Sequence, residues 1–107
     1  MNELRHYLTT TGQDPYQLWL DGLRDRMAKA RITMRVNRLA AGAFGDCKPV
    51  GEGVWELRMH YGPGYRVYYA MEGKKIVLLL AGGDKSTQSA DIEKAIGYWN
   101  DFKRRSI

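Results

Sequence analysis

Between residues 19 and 34, apolar side chains return every three or four positions, at Trp19, Leu23, Met27, Ala30 and Met34. That spacing predicts one face of a helix. Ile32, Val36, Leu39 and Ala40 form a second set on a shifted face, so the change of phase predicts two helices, or a sharp bend, near Lys29 to Ile32. Asp14 followed by Pro15 marks the start, a capping carboxylate and then proline at the first helical position. Gly42 and Gly45 end the helical part. The period then drops to two. Trp55, Leu57, Met59 and Tyr61 alternate with Glu56, Arg58 and His60, which is strand spacing. Gly62-Pro63-Gly64 supplies a turn, and Tyr65, Val67, Tyr69 and Met71 then alternate with Arg66, Tyr68 and Ala70. Glu72-Gly73 turns the chain again. "KKIVLLLA" reads as a central strand covered on both sides. A last helix is predicted from about Ser89, its cap, with Asp91 and Glu93 in the first turn. Its apolar set is Ile92, Ala95, Ile96, Trp99 and Phe102.

With a short first strand inside Glu3 to Leu8, the order is strand, helix pair, three or four antiparallel strands, helix. This is an α+β pattern: an antiparallel meander sheet with the helix pair on one face and a C-terminal helix. No repeat, linker or low-complexity segment divides the chain, so one domain over residues 1–107 is expected. The pleat has a chemical consequence. If the apolar strand faces bury against the helix pair, Glu56, Arg58, His60, Arg66 and Tyr68 point the other way. Lys85, leaving the end of the next strand, joins them on a surface expected to be mostly free of a packed helix.

Composition sharpens this picture. The 107 residues carry 17 Lys and Arg against 12 Asp and Glu, a formal charge of +5, with 44% hydrophobic and 27% charged residues. An ordinary globular composition with a cationic excess suits a polyanionic partner. Cys47 is the only cysteine, which excludes an internal disulfide, and neither it nor His6 nor His60 has a partner at metal-ligand spacing. No metal and no cofactor are expected. "MNELRHYLTT" lacks the apolar core of a signal peptide, and no apolar run approaches membrane-spanning length. A cytoplasmic protein with no membrane partner is expected.

Two arginines, a histidine, a tyrosine and a lysine on one surface suit a phosphodiester. Guanidinium groups match phosphate oxygens with a planar fork, and lysine adds a compact charge. Tyrosine or histidine can stack on a base. Other motifs are excluded by spacing. "GGDKST" lacks the earlier glycine and the Gly-Lys pair of a phosphate-binding loop. "GEG" at Gly51 to Gly53 lacks the third glycine of a dinucleotide site. Arg24, Arg26, Lys29, Arg31, Arg35 and Arg38 are distributed around the helix pair, part solvated face and part candidate track for a phosphate backbone.

Three stretches carry a resemblance: "PYQLWLDGLRD", "ARITMRVNRLAAGAFGDCKPVGEGVWELRMHYGPGYRVYYA" and "IVLLLAGGDKSTQSADIEKAIGYW". Together, from about Gly12 to Trp99, they resemble the HigB-like addiction-module killer proteins of the RelE/ParE toxin superfamily. The most specific elements are Glu56-Leu57-Arg58, Gly64-Tyr65-Arg66-Val67-Tyr68 and Gly82-Gly83-Asp84-Lys85-Ser86-Thr87-Gln88. The resemblance implies a type II toxin that inhibits translation as a metal-independent, ribosome-dependent mRNA endoribonuclease, leaving a 2′,3′-cyclic phosphate. It also implies a neutralising antitoxin, often a helix-turn-helix DNA-binding protein, with mRNA and ribosome as targets. Arg66 then matches the arginine that holds the scissile phosphate, Arg58 a basic position on the preceding strand, and Lys85 the basic residue after the last strand. The general base stays open between Glu56 and His60, with Tyr68 a further RNA contact. Asp84 stands where many such toxins carry a second cation, and the C-terminal stretch offers only Tyr98 nearby as an aromatic acid. The alternatives are a gyrase-poison-like toxin and an inactive RNA- or partner-binding module. Gly82 and Gly83 are expected to let the chain turn off its strand and deliver Lys85 to the groove edge.

Overall fold

The computed structural model describes residues 2–106; Met1 and Ile107, the ends of the expected 1–107 unit, lie outside the described residues. The chain runs β1 (Glu3–His6), α1 (Pro15–Gly22), α2 (Arg26–Ala40), β2 (Cys47–Gly51), β3 (Val54–Arg58), β4 (Tyr65–Glu72), β5 (Ile76–Asp84), a 3-10 turn over Lys85–Thr87 and α3 (Gln88–Arg105). The five strands form one sheet in the order β1-β5-β4-β3-β2. The α+β class and the helix pair are as the pattern predicts. The meander β2 to β5 is antiparallel throughout, but β1 pairs with β5 in parallel, placing Glu3 opposite Ile76.

Asp14 caps α1 by accepting the Gln17 N–H at 3.0 Å, with Pro15 at the first turn. The helix break falls earlier than the phase change suggests. Helix α1 ends at Gly22, and Asp25 caps α2 by accepting the N–H groups of Met27 and Ala28. From there α2 is unbroken, and its buried side is Ala28, Ile32, Val36 and Leu39. Met27 and Met34 are exposed; their spacing from Trp19 and Leu23 runs across the loop and reports no shared face. Strand β2, absent from the pattern reading, is an edge strand containing Pro49, where a missing N–H leaves no ladder bond unmade.

The α2 side chains pack with Tyr16 and Leu20 of α1 against Leu57, Val67, Tyr69, Val77 and Leu79. The opposite face is not open. Ile92, Ala95, Ile96, Trp99 and Phe102 of α3 cover Val54, Tyr68, Ala70, Leu78 and Leu80 there. The sheet is therefore sandwiched, which explains why "KKIVLLLA" is apolar on both sides.

Gly82 and Gly83 belong to β5 rather than to a turn. A Cβ on Gly82 would collide with the Trp19 ring of α1, and one on Gly83 with the Asp91 carboxylate of α3. These glycines let both helices close onto the end of the strand. Asp84, not Ser89, organises the chain that follows, its carboxylate accepting the Ser86 N–H at 2.8 Å. No described helix is long and apolar enough to cross a membrane.

Candidate functional site

Arg58 and Arg66 face each other directly across the β3–β4 ladder. Like charges on one rung repel, and each arginine is met by its own carboxylate. Arg66 Nη1 donates to Glu56 Oε1 at 3.3 Å, and Arg58 Nη2 donates to Asp46 Oδ1 at 3.0 Å. Asp46 comes from the loop between α2 and β2, which Gly42 and Gly45 let double back toward the sheet.

Glu56 is fully buried. Besides Arg66, its carboxylate accepts the Tyr68 hydroxyl at 3.0 Å and the Gln88 side-chain amide at 2.8 Å. Gln88 opens α3, so the covering helix itself supplies part of this network. Burial, and then the negative charge of Glu56, push the Tyr68 hydroxyl pKa well up, so it stays a donor. Two expectations are corrected here. Glu56 cannot meet a ribose hydroxyl, because it has no exposed surface and both oxygens already accept. Tyr68 cannot stack on a base, because it too is fully buried beneath α3. Both residues instead hold Arg66 in place.

The cationic residues reach the surface at the end of the sheet that α3 leaves uncovered. Arg58, His60, Arg66 and Lys85 line one cavity of about 380 Å³, with Tyr61 and Pro63 on its rim. The Nε atoms of Arg58 and Arg66 are both buried without a hydrogen-bond partner. The exposed parts of the two arginine side chains, 31% for Arg58 and 12% for Arg66, join Lys85 in making that cavity cationic. Asp84 lines a different cavity, beside Trp19, Thr87 and Asp91, and is engaged in its own turn. Its negative charge is thus turned away from the Arg–Arg–Lys cluster. Tyr98 also lines that second cavity and stacks on Tyr7 at 4.9 Å.

His60 is 80% exposed, beyond the end of β3, with Nε2 2.6 Å from Asp46 Oδ2. Asp46 therefore touches both His60 and Arg58. Hydrogen bonds from His60 and then Arg58 hold its carboxyl below the usual carboxylate range. The hydrophobic–polar pattern does not single out Asp46, the last residue before β2. A further cavity of about 480 Å³ adjoins the first and shares the wall from Arg58 to Tyr61. Arg31, Arg35 and Arg38 of α2 line its other side, with Met34 on its surface. Arg35 ties the two elements together by donating to the Arg58 carbonyl at 3.4 Å, and Arg31 lies over the Tyr61 ring, 4.2 Å from its centre. These three arginines are gathered, whereas Arg24, Arg26 and Lys29 do not line the trough. Among the described residues, no group of three or more His, Cys, Asp or Glu side chains could share a metal ion.

Residues 19–96 match the model of the family described as phage-derived protein Gp49-like (DUF891). An uncharacterised protein of Haemophilus influenzae is 49% identical over 80 residues, covering 75% of this chain and 81% of the relative.

Proposed function

We propose, on the premise that the chain belongs to the Gp49-like family, a toxin-like family of the RelE/HigB type, that it is a toxin cleaving single-stranded RNA. The observation that carries this reading is the Arg58–Arg66 rung, whose two arginines line one cavity together with Lys85. A phosphodiester fits it in size, charge and donor geometry. As the ribose 2′-oxygen attacks phosphorus, the non-bridging oxygens gain charge. Arg66 and Lys85 stabilise that charge, and donors already oriented do so with little reorganisation. Arg58 stabilises the departing 5′-oxygen. The adjoining arginine-lined cavity favours a strand over a mononucleotide, because it continues the positive trough past the scissile bond and offers Met34 and Tyr61 as apolar surface for flanking bases.

In this reading the substrate is mRNA on the ribosome, and a cognate antitoxin with a helix-turn-helix DNA-binding part neutralises the toxin. The test is to induce the protein without an antitoxin and map the 5′ ends of cellular RNA. New ends clustered at codons are expected, and Arg66→Ala, compared at a temperature where circular dichroism shows it folded because it strands buried Glu56, should reduce them by about 10²–10³-fold. DNA damage with intact RNA would favour a gyrase-directed toxin, and unaffected growth a binding module. Either result, or full activity of Arg66→Ala, overturns the proposal.

A further inference from the structure

With Glu56 sealed, the exposed side chains of the trough able to accept a proton are His60 and Asp46, and they touch each other. Asp46 Oδ2 lies 2.6 Å from His60 Nε2. An ionised carboxylate only accepts, so Nε2 carries a hydrogen, and in the neutral ring Nδ1 is the nitrogen with the lone pair. The other oxygen, Oδ1, accepts from Arg58 at 3.0 Å. One carboxylate thus contacts both the imidazole and an arginine on the phosphate cavity, which brings the two side chains together.

We infer that Asp46 and His60 form an acid–base dyad in which His60 Nδ1 takes the proton of the attacking 2′-hydroxyl and Asp46 is its positioning residue. The inference rests on the ribonuclease reading above. In the step, the 2′-oxygen forms its bond to phosphorus while the bond from phosphorus to the 5′-oxygen breaks. The 2′ proton passes to Nδ1 and later to solvent. The 5′-oxygen leaves with the bonding pair and takes a proton from water. Nothing is oxidised or reduced. The charged groups around His60 are Arg31, Arg35 and Arg38 from α2, Arg58 and Arg66 from the rung, Lys85 from the turn before α3, and the single carboxylate of Asp46. In so cationic a trough, a carboxylate works against RNA binding. One of its oxygens offsets Arg58 on the like-charged rung, and the other orients the histidine.

That conflict supplies the test. Wild-type full chain and the Asp46→Asn, His60→Gln, double and Arg66→Ala variants are added to a translation reaction programmed with a reporter mRNA. Single-turnover cutting is followed by primer extension, and binding to a short single-stranded RNA is measured separately. Circular dichroism under urea confirms that each variant is folded. His60→Gln and Asp46→Asn are each expected to slow cutting by about 10²-fold, the lower end for general acid–base catalysis. The double variant should be no slower than His60→Gln alone, since the two residues act as a unit. Asp46→Asn should bind the RNA at least as tightly as wild type, so affinity and rate move in opposite directions. A merely structural carboxylate would not separate them. Cutting by Asp46→Asn at the wild-type rate or faster, or losses that multiply in the double variant, overturns the dyad and leaves the ribonuclease reading standing, provided Arg66→Ala is dead. A reporter left intact by wild type overturns both.

Discussion

The two ends of the Arg58–Arg66 rung carry the same ion pair in opposite surroundings. On the Arg66 side, Glu56 has no exposed surface, the arginine is 12% exposed, and Gln88 of α3 reaches the Glu56 carboxylate. On the Arg58 side, arginine and Asp46 keep 31% and 36% of their side-chain surface in solvent. A buried pair must repay the desolvation of both charges through further hydrogen bonds, which here come from Tyr68 and Gln88. An exposed pair pays little for desolvation and holds little, because water and salt screen it. Arg66 is therefore held rigidly, while Arg58 and His60 share a carboxylate that can be replaced without disturbing the core. Rigidity belongs to the phosphate clamp, and adjustability to the group proposed to move a proton.

The largest expected effect comes from breaking the sealed end. Glu56→Ala strands the Arg66 charge and leaves Tyr68 and Gln88 without their acceptor. Removing one member of a buried pair costs about 3–5 kcal/mol, a large part of the roughly 5–15 kcal/mol by which a domain is stable. Urea denaturation should show a large drop in midpoint for Glu56→Ala and little change for Asp46→Ala. Equal midpoints would mean that the two ends are not different in kind.

The contrast between these ends was not legible in the chain pattern, although its ingredients were. Period two placed Glu56, Arg58, Arg66 and Tyr68 on one face correctly, because pleat geometry is local. What covers that face is not local. The C-terminal apolar set Ile92, Ala95, Ile96, Trp99 and Phe102 marked a buried helix, but a pattern does not say which side of the sheet receives it. The continuous apolar run Ile76 to Ala81 held the missing clue, since a strand buried on both sides needs a second cover. Asp46 and Gln88 escaped for a related reason: each acts through a partner 12 to 32 positions away. Trp55 shows the opposite error. It keeps the apolar phase yet is exposed, on the part of the sheet near the β2 edge, beside Phe44 and Cys47.

A middle-sized effect sharpens the comparison at alkaline pH. Tyr68 donates to Glu56, and burial, then the Glu56 charge, raise its folded-state pKa. A raised acid pKa adds stability that is complete below the unfolded value of about 10 and is lost as pH climbs toward the folded value. Tyr68→Phe removes a donor from a buried carboxylate, costing about 1–3 kcal/mol at neutral pH. Since the variant lacks this alkaline loss, its deficit against wild type should narrow as pH rises beyond that of free tyrosine. A deficit that stays constant in urea melts across that range would show that the hydroxyl is not held protonated by its surroundings.

The smallest effect tests the open end, at acid pH. His60 first, and Arg58 second, hold the Asp46 pKa below its ordinary range. A depressed carboxyl pKa contributes stability that is present above the unfolded value and disappears as pH falls through the folded one. Wild type and Asp46→Asn should therefore have matching urea midpoints in strong acid, where both carry a neutral side chain. They should separate as pH rises through the folded and then the unfolded carboxyl value, and run parallel above it. Because the pair faces solvent, added salt should shrink the separation, whereas it should leave the Glu56→Ala deficit nearly intact. If salt erased both differences alike, the cover provided by α3 would not be what separates the two carboxylates, and the division between a fixed clamp and an adjustable dyad would have no physical basis.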